Sequence, residues 1–187
     1  MGILSVFNFI TLNGYYKGPQ EDTTWHSHGG TEEHDFALQM VRQNNLLLFG
    51  RLTYEMMASY WPGPDAASQD PLMAEGMNKA EKIVFSKSLE KPYWNNSRII
   101  SNNVVQEIKA LKKNQPKNLT ILGSGSIVNL CTEAQLIDEY QFLLDPVALG
   151  RGTAVFSGMT KELSLKLAGS RIFESGSILL RYHPRIP

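Results

Sequence analysis

Leu119-Thr120-Ile121-Leu122-Gly123-Ser124-Gly125-Ser126-Ile127-Val128 decides how the chain is read, because its pattern changes half-way along. The first four residues have the apolar, β-branched make-up of a short strand. Gly123 to Ser126 then supply a tight corner, and Ile127, Val128, Leu130 and Cys131 follow at the spacing of one helical face. A strand that turns through glycine into a helix start leaves backbone N–H groups directed outward at the corner, where an anion can sit.

The same arrangement occurs earlier. Leu46-Leu47-Leu48-Phe49 is an all-apolar run of the kind found in strands covered on both faces, and it stops at Gly50. Arg51-Leu52-Thr53 then open a helix whose Tyr54, Met57, Ala58 and Trp61 share one stripe, ended by Pro62-Gly63-Pro64. Gly50 permits close approach of the backbone, Arg51 carries a fork suited to phosphate, and Thr53 puts a hydroxyl in the opening turn. A third strand end, Ile83-Val84-Phe85, runs into Ser86-Lys87-Ser88, whose hydroxyls and cation suit the ribose phosphate of a phosphorylated dinucleotide.

Outward from these junctions, Met1 to Ile10 reads as a buried first strand, and turn residues lead from Leu12 to a polar loop ending near Gly30. Thr31 is the expected cap of a helix with Glu32 and Glu33 in its first turn and Phe36, Ala37, Met40 and Val41 on its inner face. Arg98 to Ser101 is a further strand, and Asn103 to Lys113 a helix lined by Val104, Ile108 and Leu111, with Asn103 and Gln106 spaced as a capping box. Lys109, Lys112, Lys113 and Lys117 read as a solvated helix face. The segment from Asp65 to Ala80 fits either regular structure or loop. After Glu139, alternation takes over: Tyr140, Phe142 and Leu144, then Leu165 and Leu167, then Ile178, Leu180 and Tyr182 beyond a Ser175-Gly176 turn. Strands alternating with helices and then a strand-rich end imply an α/β fold with a mainly parallel central sheet, antiparallel edge strands and flanking helices. Ligands of such sheets lie beyond the carboxyl ends of the strands.

The 187 residues are read as a single domain, 1–187, which at that length buries roughly 70% of its unfolded surface. Eighteen Lys plus Arg balance eighteen Asp plus Glu, so no long-range field gathers phosphate backbones or anionic membranes, and a nucleic-acid partner is not expected. Nothing approaches the ~20 apolar residues of a membrane span. The apolar start lacks a basic lead-in and a cleavage site, so it is not read as a signal peptide. Cys131, the one cysteine, suits a reducing compartment and a place in the core, which points to the cytoplasm.

Six segments in order carry a resemblance. They are Thr11-Leu12-Asn13-Gly14-Tyr15, Leu48 to Tyr54, Lys82 to Lys87, Gly123 to Ser126, Pro146-Val147-Ala148-Leu149-Gly150-Arg151-Gly152, and the closing Gly176 to Tyr182. Together they resemble the dihydrofolate-reductase-like fold, a three-layer sandwich, and within it the C-terminal reductase domain of the riboflavin-biosynthesis deaminase/reductase. The resemblance implies NADPH or NADP as cofactor, with Gly50, Arg51 and Thr53 on its phosphates, Ser86 and Lys87 at the adenosine end, and Gly123, Ser124, Gly125 and Ser126 on the pyrophosphate. It implies reduction of a small pterin- or pyrimidine-like heterocycle, by an enzyme resembling 5-amino-6-(5-phosphoribosylamino)uracil reductase or dihydrofolate reductase. Pairing of two copies through the late strands, a homodimer, is implied as well.

Departures from that pattern matter for chemistry. His-x-Glu and Pro-Cys-x-x-Cys are absent, which removes the zinc deaminase half. Asn13 stands where many relatives carry Asp, and an amide does not donate a proton as an acid does. Dihydrofolate reductases place an acid on the first helix; an ungapped count back from Gly50 lands on His34, so Asp35 fits after a one-residue shift, with Glu33 the other acid nearby. Asn13 and Asp35 are thus the catalytic candidates, and Trp25 and His26 are expected to wall the substrate pocket, where an aromatic stacks on a flat heterocycle. His26, His28 and His34 with Glu32 and Glu33 do not match a two-histidine helix motif, so no metal is assigned. The alternative function is a non-catalytic NADP-binding module that has lost turnover.

Overall fold

The computed structural model describes residues 2–26 and 30–185. Among them the short apolar runs extend into strands and the 3.6-period stripes coil, in the order β1 (Leu4–Thr11), β2 (Tyr15–Lys17), α1 (Thr31–Arg42), β3 (Leu46–Gly50), α2 (Arg51–Tyr60), α3 (Pro64–Gln69), α4 (Pro71–Lys79), β4 (Lys82–Phe85), β5 (Ser97–Ile100), α5 (Val104–Asn114), β6 (Leu119–Leu122), α6 (Gly125–Glu133), β7 (Glu139–Asp145), β8 (Thr153–Ala154), β9 (Leu165–Ile172) and β10 (Ile178–Pro184). The main sheet has eight strands in the order β5-β4-β3-β6-β1-β7-β10-β9, and β2 pairs with β8 beside it. From β5 to β7 every pairing is parallel. β10 runs antiparallel to both β7 and β9.

This order explains the layers. The chain moves from β1 to β3, β4 and β5 in one direction across the sheet, then returns through β6 to β7 in the other. Parallel crossovers keep one hand, so reversing direction places the later helices on the opposite face. Accordingly, Ile108 and Leu111 of α5 and Ile127, Val128 and Cys131 of α6 pack with Val6, Ile121 and Tyr140. On the other face, Tyr54 and Ala58 of α2 and Met77 of α4 cover Leu47, Phe49 and Val84. Phe36 of α1 meets Phe7, Leu143 and Phe173. The architecture is therefore a dihydrofolate-reductase-like α/β sandwich.

Several local expectations change. Gly30, not Thr31, precedes the first turn of α1, and Glu33 reaches back to accept the Gly30 N–H at 2.8 Å. Asn103 takes a left-handed backbone (φ 55°) in place of the extended one usual at a cap, and its side chain makes no capping bond, so the capping box with Gln106 does not form. Lys112 belongs to the interior: it is 9% exposed and donates to the Leu136 carbonyl and Asp138, both at 2.6 Å. Asp65 to Ala80 folds as two helices, each with proline in its first turn, and Asp70 caps α4 by accepting the Met73 N–H at 3.1 Å.

Candidate functional site at the carboxyl rim of the sheet

Because β4, β3, β6, β1 and β7 are parallel neighbours, their carboxyl ends form one rim. Ser86, Gly50, Gly123, Thr11 and Asp145 follow one another along it. The two glycine junctions read from the sequence are side by side. Their contact is direct, since the Gly50 N–H donates to Ser124 Oγ at 2.7 Å and the Ser124 N–H donates to Thr53 Oγ1 at 3.2 Å. Gly123 and Ser124 both have positive φ, 61° and 54°, and a Cβ on Gly123 would stand 3.0 Å from the Thr53 methyl group. Glycine is therefore required at 123 by backbone conformation and by close approach together.

These contacts correct one detail of the sequence reading. The amides of Gly50, Ser124 and Gly125 do not face outward unpaired, since hydroxyl groups lie close enough to take them. Tyr16 supplies the third, its phenol oxygen accepting the Gly125 N–H at 3.0 Å. A Cβ on Gly125 would lie 2.7 Å from that oxygen. By helix geometry, Arg51, Leu52 and Thr53 of α2 and the exposed Ser126 of α6 keep the outward-looking first-turn donors. The Arg51 guanidinium grips both Glu55 oxygens, at 3.0 and 2.9 Å, on the exposed side of α2. Ser86 Oγ accepts the N–H groups of Ser88 and Leu89 at 3.2 and 3.0 Å, which orders the turn that presents the exposed Lys87. Two cations and a helix start thus line the β3–β4 end of the rim. That donor set fits phosphate groups: Arg51 and Lys87 for charge, the α2 amides and Ser126 for hydrogen bonds.

The β1–β7 end has different chemistry. Asp145, 1% exposed, receives His26 Nδ1 on one carboxylate oxygen at 2.5 Å and the Ser177 hydroxyl on the other at 3.1 Å. Phe9 stacks on the His26 ring with centroids 3.8 Å apart, and Trp25 meets the same ring edge-on at 6.2 Å. The Trp25 indole N–H is buried with no hydrogen-bond partner. Further along, the Ser177 N–H donates to Ser175 Oγ at 3.1 Å, and the Ser175 hydroxyl donates to Glu33, which is 5% exposed. Two buried carboxylates, two serines and a histidine therefore form one polar chain between α1, β7 and the entry to β10.

Asn13 has a mechanical task. Its Oδ1 accepts the Thr11 hydroxyl at 2.8 Å and the Leu149 N–H at 3.2 Å, while its Nδ2 donates to the Leu149 carbonyl at 2.7 Å. Only an amide offers both a donor and an acceptor to Leu149, which accounts for Asn rather than an acid here. Asp35 projects from α1 with 63% of its side chain exposed, 3.9 Å from His34. Glu33 is the acid that α1 turns inward. His28 lies outside the described residues. Cys131 is fully buried, and burial pushes its thiol up to about 12, so it holds no thiolate at neutral pH.

A groove of about 490 Å³ lies beside α6, lined by Tyr16, Gly125, Ser126, Asn129, Thr153 and Gly158. Another cavity, about 340 Å³, opens at the opposite, amino-terminal edge among Ser5, Asn45, Gln141 and His183, away from the rim. Sequence reasoning missed Asp145, Ser177 and Tyr16. A signal for Asp145 was available: it is the charged residue that closes the otherwise apolar run Phe142-Leu143-Leu144, at the carboxyl end of a buried strand.

Comparison with known proteins agrees with this architecture. The chain is 25% identical over 175 residues to the uncharacterized protein YyaP of Bacillus subtilis (strain 168), covering 93% of this chain and 90% of that one. A putative riboflavin biosynthesis protein from Shewanella sp. PV-4 superposes with a TM-score of 0.75 at 18% identity, over 98% of this chain and 99% of that one. Dihydrofolate reductase from Enterococcus faecalis, solved with NADP(H) and RAB-propyl, has a TM-score of 0.66 at 17% identity, over 99% and 98% of the two chains. Residues 3–179, nearly the whole length, match the RibD C-terminal domain, and the chain belongs to that family.

Proposed function

We propose that this chain is a cytoplasmic, NADPH-dependent reductase of a small pterin- or pyrimidine-like heterocycle. The observation that carries the reading is the meeting of the two glycine junctions through the Gly50 N–H to Ser124 Oγ bond of 2.7 Å, which sets both helix starts at one place on the rim. Arg51 and Thr53 at α2, Lys87 and the turn built by Ser86, and the Gly123-Ser124-Gly125-Ser126 corner are the residues we assign to the dinucleotide. Lys87, beside the end of β4, gives the extra phosphate of NADPH a cation, which favours it over NADH. When bound, the cofactor supplies hydride; the protein's part is to orient, exclude water and provide a proton. Trp25 and His26 wall the side where the acceptor lies.

Thermal denaturation with and without cofactor tests the first half. NADPH at 100 times its dissociation constant adds about 2.7 kcal/mol to stability. No shift, or an equal shift with NADH, refutes the cofactor assignment. For the second half, NADPH oxidation is followed with 5-amino-6-(5-phosphoribosylamino)uracil, 7,8-dihydrofolate and a quinone. A second reading, cofactor binding without turnover, is favoured by Asn13 being tied to Leu149 rather than held ready for proton transfer. Reduction of any acceptor in the panel dismisses it. A second copy of the chain is the partner we assign to β9, the edge strand that leaves Leu167 and Ile172 at 52% and 75% exposure. Light scattering giving a monomer mass at micromolar concentration rejects that partner.

A further inference from the structure

We propose that the cavity at the amino-terminal edge of the sheet is a second ligand site, built for a small organic ammonium ion. It stands apart from the rim and does not depend on the reductase reading. Ser5 and Glu139 are register partners at the start of β1 and β7, and Thr11 and Asp145 are partners at the far end, so a strand length of ~20 Å separates the two places. The cavity holds about 340 Å³, at the lower end of the ~300–1,000 Å³ of small-molecule sites. Gln141 marks it. Its neighbours in β7, Tyr140, Phe142 and Leu143, are apolar and buried, whereas Gln141 brings an amide, 9% exposed, to the cavity lining. Its Nε2 donates to Glu139 Oε1, and its Oε1 is buried with no hydrogen-bond partner. The carboxylate sets this orientation of the amide, because turning it over would bring two acceptor oxygens together. An acceptor taken from water and left without a donor is a cost that the free protein carries and a donating ligand removes.

The groups around Gln141 decide what kind of donor fits. Ser5 and Asn45 are engaged by the fold: the Ser5 hydroxyl donates to the Leu119 carbonyl at 3.3 Å and meets Thr120 Oγ1 at 3.1 Å, and Asn45 Nδ2 donates to Thr120 Oγ1 at 3.0 Å. Glu139 Oε2 is met by His183 Nε2 at a long 3.3 Å, from a side chain 55% exposed, a contact that a ligand N–H can replace. Asp138, at the same edge, is already matched by Lys112 at 2.6 Å. Arg181, opposite Gln141 in the register, lies over Gly169, where a Cβ would stand 2.8 Å from its guanidinium. The lining therefore offers one carboxylate and one carbonyl to a group that donates and carries positive charge, and an ammonium does both. Among the described residues no group of three His, Cys, Asp or Glu is placed to hold a metal, so the cation is organic. Met40 and Ile3 add apolar wall for a short aliphatic stem.

The test uses the full chain, pentylammonium as the probe, and two variants, Gln141→Met and Glu139→Gln. Calorimetric titration reads affinity, and ¹⁵N NMR reads the place, through the side-chain amides of Asn45 and Gln141 and the backbone amides of Gly50 and Gly123. A probe of about six non-hydrogen atoms is expected to bind one to one in the millimolar range or tighter, shifting Asn45 and Gln141 and leaving Gly50 and Gly123 in place. Pentanol, with the same stem and no charge, and tetramethylammonium, with charge and no N–H, bind about 10-fold more weakly or not at all. Each variant weakens pentylammonium about 10-fold or more: Gln141→Met removes the carbonyl at similar volume, and Glu139→Gln keeps an acceptor for Gln141 but removes the charge. Melting temperatures establish that both fold; if Gln141→Met does not, Glu139→Gln and the tetramethylammonium comparison carry the test. No saturation by pentylammonium up to about 10 mM, the result for a cavity that holds water only, overturns the proposal. Equal binding of pentanol or tetramethylammonium, shifts at Gly50 and Gly123 in place of Gln141, or parental affinity in either folded variant overturns it as well.

Discussion

The two ends of the rim are built by opposite means. At the β4-β3-β6 end, the hydroxyls of Thr53 and Ser124 each close on a main-chain N–H of the other's junction and that of Ser86 on its own turn, and the charges, Arg51 and Lys87, stay at the surface. At the β1-β7-β10 end, the charges are inside: Asp145 is 1% and Glu33 5% exposed, and partners come from far along the chain, His26 lying 119 residues from Asp145 and Ser175 lying 142 from Glu33. The first end is a hydrogen-bonded frame with exposed cations, a donor set that fits phosphate. The second is a buried hydrogen-bonded chain in which removing a member leaves its neighbours unsatisfied.

Substitutions that act on one end and not the other sharpen this contrast. Asp145→Ala is expected to do most harm, about 3 kcal/mol of stability by urea unfolding, because His26 and Ser177 both lose a buried acceptor. A loss under about 1 kcal/mol would mean that the polar chain is not coupled. Gly125→Ala comes next, at about 2 kcal/mol by thermal melting, since its methyl group enters the space of the Tyr16 phenol, 2.7 Å away. If its melting temperature matches the parent's, the frame is looser than described. Arg51→Ala should alter stability by under ~0.5 kcal/mol, as its Glu55 pairing is exposed, yet raise the NADPH dissociation constant about 10-fold in a fluorescence titration. An unchanged constant takes Arg51 out of the site. Asp35→Asn is the smallest, within ~0.5 kcal/mol in the same unfolding assay; a larger loss would show that its exposure misleads.

Legibility followed the same division. The frame was readable because strand, glycine corner and helix start are adjacent in sequence, and the burial of Leu46 to Phe49 and of Tyr54 follows from period alone. What escaped was contact between remote segments. His26 was placed in a pocket wall, but nothing near it in sequence names Asp145 as its partner. Lys112 looked like a solvated cation because helical spacing does not tell that α5 lies against the Leu136 carbonyl. Asn103 had the spacing of a capping residue, but spacing does not report the left-handed backbone that it takes. Tyr16 escaped for a third reason, since β2 is only three residues long and pairs with a two-residue partner.

The Tyr16 phenol has a kinetic consequence. It stoppers the N–H of Gly125, so under the proposed function a cofactor phosphate reaches that N–H at the start of α6 only by displacing an aromatic side chain. Encounter and seating are then separate events. In a stopped-flow experiment the observed rate should level off hyperbolically with ligand concentration, at a ceiling set by how often the ring swings aside, and Tyr16→Phe, which cannot accept that hydrogen bond, should lift the ceiling.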